Sequence, residues 1–146
     1  MKKYKKLDYN EEDLESLSNS DLKKLGDYWM RQYLLREHPN QYYTCPIKNR
    51  KYPVDKMHCC HYEDRANLWT RYNLLNVHLL SAQSNTWDAQ IMVEGYKSKH
   101  HKEYSQWLIK EYGAEILNTL REKAKRTDTF KKEDYIEAIN KFRNNG

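Results

Sequence analysis

The chain has 146 residues, with 26 lysines and arginines against 21 aspartates and glutamates and a formal net charge of +5. That length suits one domain with a modest core, and a mean hydropathy of -1.14 describes a very wet surface. No stretch approaches the ~18 consecutive apolar residues of a membrane span, and the basic opening at residues 1–6 is followed by no apolar signal-peptide core. A soluble, cytoplasmic protein is therefore expected, with no membrane partner. An isoelectric point near 9.0 points towards a polyanion such as nucleic acid. Thirteen Tyr and four Trp against two Phe favour rings with a polar handle, suited to half-buried surfaces and to contact with sugars and bases. Three cysteines, Cys45, Cys59 and Cys60, are an odd number with two adjacent, which implies no disulfide framework and fits a reducing compartment.

Residues 1–19 read as a lysine-rich and then acidic tail with at most one short helical turn. Ser20 is a good N-cap for a helix through about Glu37, with Asp21 in the first turn and Leu22, Leu25, Trp29 and Tyr33 on one apolar face. His38-Pro39 ends it, since the residue before a proline resists helical geometry. From Gln41 the pattern turns β-prone: Tyr42–Cys45 and Lys51–Val54 flank a turn, and Lys56 to Tyr62 reads as a further strand. Glu63 to Tyr72 has no period and reads as a loop, with Asn76 to Leu80 a short strand after it. Helical spacing returns from about Ser81, with Trp87, Ile91 and Met92 as apolar positions. A helix over 101–112 is stopped by Gly113, another runs from Ile116 to about Lys125, and a basic amphipathic helix closes the sequence with Tyr135, Ile136, Ile139 and Phe142 on its apolar face. The expected fold is α+β and mainly helical, divided into a tail at 1–19, a domain at 20–125 and a basic C-terminal helix at 126–146.

The middle of the chain holds His61, then fourteen residues, Asn76, then eight residues, Asn85. These fall at the end of one strand, the start of the next and the first turns of a helix, which is the ββα-metal arrangement. Hydrolysing a phosphodiester requires a base to activate water, and a neutral imidazole does this near pH 7. It also requires a hard divalent cation at the scissile phosphate, and oxygen donors from Asn or Asp suit Mg²⁺. The middle Asn ties the loop together and orients the His. His78, two residues after Asn76, shares its strand face, where a structural histidine and a site residue are both open readings. Asp88 lies three residues after Asn85 on the same helical face, as an outer carboxylate or an exposed polar residue.

The surrounding residues carry a resemblance. The helix Asp21 to Glu37, the Tyr43-Thr44-Cys45-Pro46 turn, Cys59-Cys60-His61-Tyr62, Asp64-Arg65, Arg71-Tyr72-Asn73, Asn76-Val77-His78, Ser84-Asn85 and Tyr112-Gly113 together resemble, over roughly residues 20–120, the phage recombination endonucleases of the NinG/Rap family. Those enzymes carry a degenerate HNH motif. The resemblance implies a small ββα-metal core flanked by helices, and a metal-dependent endonuclease acting on branched DNA such as Holliday junctions or D-loops. His61 would be the general base, Asn76 its positioner and Asn85 a ligand for Mg²⁺ or Mn²⁺. A homodimer is an expectation from the resemblance alone.

The departures bear on the metals. The family pattern places two Cys-x-x-Cys pairs around a structural zinc, whereas here Cys45 is followed three residues later by Lys48 and the second pair is Ser81 and Ser84. No structural zinc is expected, because one thiolate cannot hold it, and apolar packing would take over. The residue before the catalytic His is often a metal-binding Asp but is Cys60 here, a poor partner for Mg²⁺. His58 stands where the family tends to have an acid and becomes a candidate second metal ligand. Arg65, Arg71, Lys97, Lys99 and His101 are the candidate nucleic-acid contacts. The rival readings are a catalytically inactive HNH-derived DNA-binding protein, and a helical protein-interaction domain in which the His/Asn spacing is chance.

Overall fold

The computed structural model describes residues 9–81, 92–93, 96–97 and 99–144. Its architecture is α+β and mainly helical, with three two-stranded antiparallel sheets among the described residues. The chain divides into two compact units, Met1–Glu37 with Asp128–Gly146, and His38–Thr127. The divide therefore runs at different places from the boundaries expected at 19/20 and 125/126, because the long N-terminal helix packs with the last helix of the chain.

In the first unit, α1 (Glu11–Ser16) is capped by Asn10, whose side chain accepts from Asp13 N at 2.8 Å, and Glu11, Glu12 and Asp13 sit at the positive end of its dipole. Helix α2 (Asn19–Arg36) starts from Ser18, not from Ser20, since the Ser18 hydroxyl on an extended backbone reaches Asp21 N at 3.1 Å. Its buried stripe is Leu22, Leu25, Gly26, Met30 and Leu34. Trp29 and Tyr33, expected on the apolar face with Leu22 and Leu25, are only half-buried. The final helix of the chain, Lys132–Asn144, buries Tyr135, Ile136, Ala138, Ile139 and Phe142 at helical spacing against α2. Asp134 accepts from Lys131 N at 2.8 Å and caps its start, while Arg36 donates to Phe142 O at 2.7 Å near its end. Two of its cations work inside this unit: Lys132 donates to Glu15 O at 2.7 Å, and Arg143 donates to Tyr9 O and lies 3.7 Å from Glu11.

In the second unit, β1 (Tyr42–Thr44) and β2 (Lys51–Pro53) form a hairpin with Tyr43 opposite Tyr52. Its turn is closed by Cys45 N to Arg50 O at 2.9 Å and Asn49 N to Cys45 O at 2.8 Å. Asn49 takes a φ of 55°, a left-handed conformation that Asn tolerates better than most side chains. After a 3-10 turn at Val54–Lys56, β3 (His58–His61) pairs antiparallel with β4 (Val77–Leu80), with Cys60 opposite His78 and His61 opposite Val77. The connection contains a short helix that the aperiodic sequence concealed, α3 (Leu68–Arg71), capped by Asn67. The helix expected from Ser81 lies largely outside the described residues; Met92, assigned to it, falls instead in β5 (Met92–Val93), paired with β6 (Tyr96–Lys97). Helix α4 (Lys99–Tyr112) begins two residues earlier than expected and ends at Gly113, whose φ of 100° lets its N–H return to Ile109 O at 2.8 Å. Helix α5 (Ile116–Ala124) follows, burying Ile116 and Leu120, and Lys132–Asn144 is α6. No helix among the described residues is long and apolar enough to cross a membrane.

Phe142, 5.7 Å from the Tyr33 ring, is the largest fully buried side chain among the described residues. Phe142→Ala is expected to cost about 3–5 kcal/mol, read as a lowered urea midpoint at unchanged m-value.

Candidate active site

The segment joining β3 to β4 is organised by one amide. Asn76 is completely buried, and its side-chain oxygen accepts from Glu63 N at 2.7 Å. Its nitrogen donates to Thr70 O at 3.1 Å and to Glu63 O at 3.3 Å. One carboxamide thereby closes the loop just after His61 and holds the C-terminal half of α3. The ladder continues one step beyond the strands, with Tyr62 N donating to Asn76 O at 2.9 Å. Local turns finish the segment: Asp64 accepts from Ala66 N at 2.8 Å, and Asn73 from Leu75 N at 2.9 Å.

His61 ends β3 and is half-buried. Its Nε2 lies 2.9 Å from Arg71 O. A carbonyl only accepts, so Nε2 carries the proton, and the neutral ring has its lone pair on Nδ1. The carbonyl that fixes this tautomer is itself fixed, because α3 is held by Asn76 and the Arg71 guanidinium donates to Arg65 O at 2.7 Å. That arrangement fixes the orientation of the imidazole at the end of a strand.

The second histidine of the pair of strands has a different environment. Tyr104 donates its hydroxyl proton to Cys60 O at 3.0 Å, so it accepts from His78 Nδ1, 2.8 Å away. Nε2 of neutral His78 then accepts from the Tyr112 hydroxyl at 3.1 Å. Burial, with a smaller contribution from His61 nearby, pushes the His78 pKa down to about 4. The ring is also walled by Trp107, edge-on at 4.8 Å. Tyr62 joins the same packing, edge-on to Tyr104 at 5.4 Å and 2.6 Å from Ser105 Oγ through its hydroxyl. His78 is therefore a neutral structural histidine, and the strand-face argument that could have brought it to the site brings it to α4 instead. Cys60, directly opposite, is buried, and burial, reinforced by Cys59 and Cys45, raises its thiol far above the usual range. It stays protonated and makes a weak contact to His58 O at 3.7 Å.

Of the residues singled out from sequence, His61 and Asn76 are brought to the two ends of one closed loop. His58 is not brought to His61: it lies three positions earlier in β3, and strand alternation places it with Cys60 on the other face. Asn85, and with it Asp88, lies outside the described residues. Arg65 is exposed on the loop. Arg71 is a correction: at 4% exposure, with its guanidinium on Arg65 O and 5.9 Å from the Tyr72 ring centre, it frames the loop and presents no surface to a phosphate. Lys97 sits in β6, Lys99 opens α4 and His101 lies in its first turn. Sequence reasoning missed the Arg71 carbonyl, which no side-chain pattern announces, and the Tyr104 and Tyr112 hydroxyls, which their spacing on α4 hid among the aromatic core positions. Comparison with models of known protein families, with curated proteins and with solved structures finds no match.

Asn76→Ala leaves Thr70 O, which is buried, and the part-buried Glu63 N and O without their partners, and an unmade bond to a buried group costs roughly 1–3 kcal/mol. A clear drop in melting temperature is expected, together with loss of amide-exchange protection across residues 63–71. The pH dependence follows from His78. Its folded pKa lies below the unfolded value, so the unfolded state binds more protons between about pH 6.5 and 4. This contribution is complete above pH 6.5 and is lost as pH falls towards 4, by about 3 kcal/mol in all. Urea titrations across that range are expected to show this slope, flattened in His78→Gln relative to the parent chain.

Proposed function

We propose that this chain is a metal-dependent DNA endonuclease of the HNH, or ββα-metal, class. It would hydrolyse phosphodiesters, with branched recombination intermediates such as Holliday junctions or D-loops in a phage pathway as the substrate class that the resemblance implies. The observation that carries this reading is the pairing of His61 with Asn76: an imidazole whose tautomer is set by Arg71 O at 2.9 Å, on a loop tied by a fully buried amide. In that role Nδ1 of His61 takes the proton of the attacking water, and the Nε2–H to Arg71 O bond holds the ring in place as positive charge develops on it. Asn76 touches no substrate and acts by positioning.

A divalent cation, Mg²⁺ or Mn²⁺, would supply Lewis acidity at the phosphate and stabilise the leaving oxygen. Of the ligands named from sequence, His58 does not fit, since it faces away from His61 along β3. Asn85 keeps its proposed role as ligand. The Cys60 thiol is excluded as a Mg²⁺ donor both by its protonated state and by its softness. A neutral thiol where the class often has an acid favours the second reading, an HNH-derived protein that binds DNA without cutting it.

Metal-dependent nicking separates the two. The purified chain is incubated with a four-way junction, matched duplex and single strand, in Mg²⁺, in Mn²⁺ and in EDTA. Cleavage that needs metal and falls roughly 10²–10⁴-fold in His61→Ala, at unchanged DNA affinity in EDTA, is the expected result. Cleavage by His61→Ala at the parent rate would remove the assignment, and DNA binding with no cleavage under any condition would select the second reading.

A further inference from the structure

The C-terminal end of α5 meets the loop that carries the Arg71 carbonyl. Asn67 Nδ2 donates to Ala124 O at 2.5 Å, and the Arg126 guanidinium carbon lies 3.4 Å from the centre of the Trp69 ring. Arg121, Lys123, Lys125 and Arg126 are all exposed there, four cations with one carboxylate, Glu122, among them. Glu122 is 3.3 Å from Lys125 with both side chains more than 60% exposed, so solvent screens that pair. Cations at a helix C-terminus complement its dipole, which accounts for Arg121 and Lys123 in the last turn. It does not account for Arg126, which lies past the helix end and is held over an indole ring. Stacking restricts the guanidinium and sets its N–H donors in a defined orientation, the form in which arginine meets a phosphate with least loss of side-chain freedom. Across the Asn67 tie, in the same loop, Arg65 is exposed, with its backbone carbonyl held by Arg71.

We propose that Arg126 on Trp69, with Arg65 and Lys123, forms a surface that grips the phosphodiester backbone of DNA beside His61. The proposal rests on the reading of His61 as a phosphodiester-cleaving centre for its choice of partner; the basic character of residues 123–126 was visible in the sequence, whereas the seat of Arg126 on Trp69 was not. Phosphate contacts position a nucleic acid without reading its sequence, and each one lost lowers the salt dependence of binding.

The test measures binding of the full chain to a labelled DNA duplex by anisotropy in EDTA, across a salt series, so that no cleavage intervenes. Arg126→Ala and Arg65→Ala are each expected to weaken binding about three- to tenfold near 0.1 M salt and to reduce the slope of log K against log salt by about one. Trp69→Leu, which keeps the charge and removes the platform, is expected to weaken binding with the slope nearly kept. Lys110→Ala, on the exposed side of α4, is the control and is expected to bind as the parent does. Circular dichroism of each variant checks that the fold is kept. Parent-like affinity and slope in Arg126→Ala and Arg65→Ala would overturn the proposal, as would binding to phosphatidylserine vesicles with none to DNA. The two readings fail separately: Arg126-dependent binding without cleavage removes the nuclease and keeps the surface, whereas His61-dependent cleavage with unchanged slopes removes the surface alone.

Discussion

A carboxamide sealed from water must find partners for its oxygen and both nitrogen protons, and Asn76 finds them all on one loop. Because Glu63 N, Glu63 O and Thr70 O are those partners, the 62–76 connection has one arrangement that leaves no buried polar group orphaned. The consequences run outward. Fixing Thr70 fixes the last turn of α3, the last turn presents the Arg71 carbonyl, and that carbonyl sets the proton on His61. The short β3–β4 ladder alone would leave the connection at 62–76 loose. The amide converts it into a frame stiff enough to hold an imidazole at hydrogen-bonding distance, and α5 braces it from outside through Asn67 and Trp69.

Two histidines on paired strands show how environment assigns a task. His78 is enclosed by Tyr104, Trp107 and Tyr112, and its two nitrogens are spent on tyrosine hydroxyls. With a pKa near 4 it is neutral across the physiological range and serves packing. His61 is half-buried and takes its orientation from a backbone carbonyl. Strand alternation explains the division, since Cys60 and His78 are opposite one another and turn towards α4, while His61 and Val77 turn the other way. The neutrality of His78 also matters to His61, because a positive charge on either ring disfavours one on the other.

Much of this was legible in the sequence, for physical reasons that differ between elements. The hairpin at 42–53 showed through short tyrosine-bearing runs around a Pro/Lys/Asn turn, the strand at 77–80 through a short apolar run, and α4 and α6 through their apolar spacing. His58–His61 carries no strong strand signal of its own. The loop-tying part expected of Asn76 came from the His61/Asn76/Asn85 spacing, and the hydrogen bonds of its amide to Glu63 and Thr70 are that tie. Helix α3 was hidden because four residues cannot display a helical period, and its only signal was the capping Asn67. Arg71 looked like a phosphate contact because an arginine near a catalytic loop usually faces solvent. Its burial depends on Arg65 O and the Tyr72 ring, contacts that arise only once the loop has closed. The pairing of α2 with α6 joins residues about a hundred apart in sequence, and no local pattern announces such a partner.

The faces of β3 also constrain what a cation beside His61 would need. His58 and Cys60 share the side turned to α4, so within β3 the only potential donor on the side of His61 is the Cys59 thiol, which is soft. A hard cation at that position takes oxygen ligands from outside the strand, from Asn85 on the proposed reading and from the phosphate itself. Sulfur is displaced from the chemistry by geometry as well as by affinity: Cys60 is sealed behind Tyr104 and His78, and its raised pKa keeps it a neutral, space-filling thiol. Cys60 thus belongs to the packing between β3, β4 and α4. The Cys60 thiol and the His78 ring fill the strand face opposite His61, where Tyr104 ties β3 to α4 through Cys60 O.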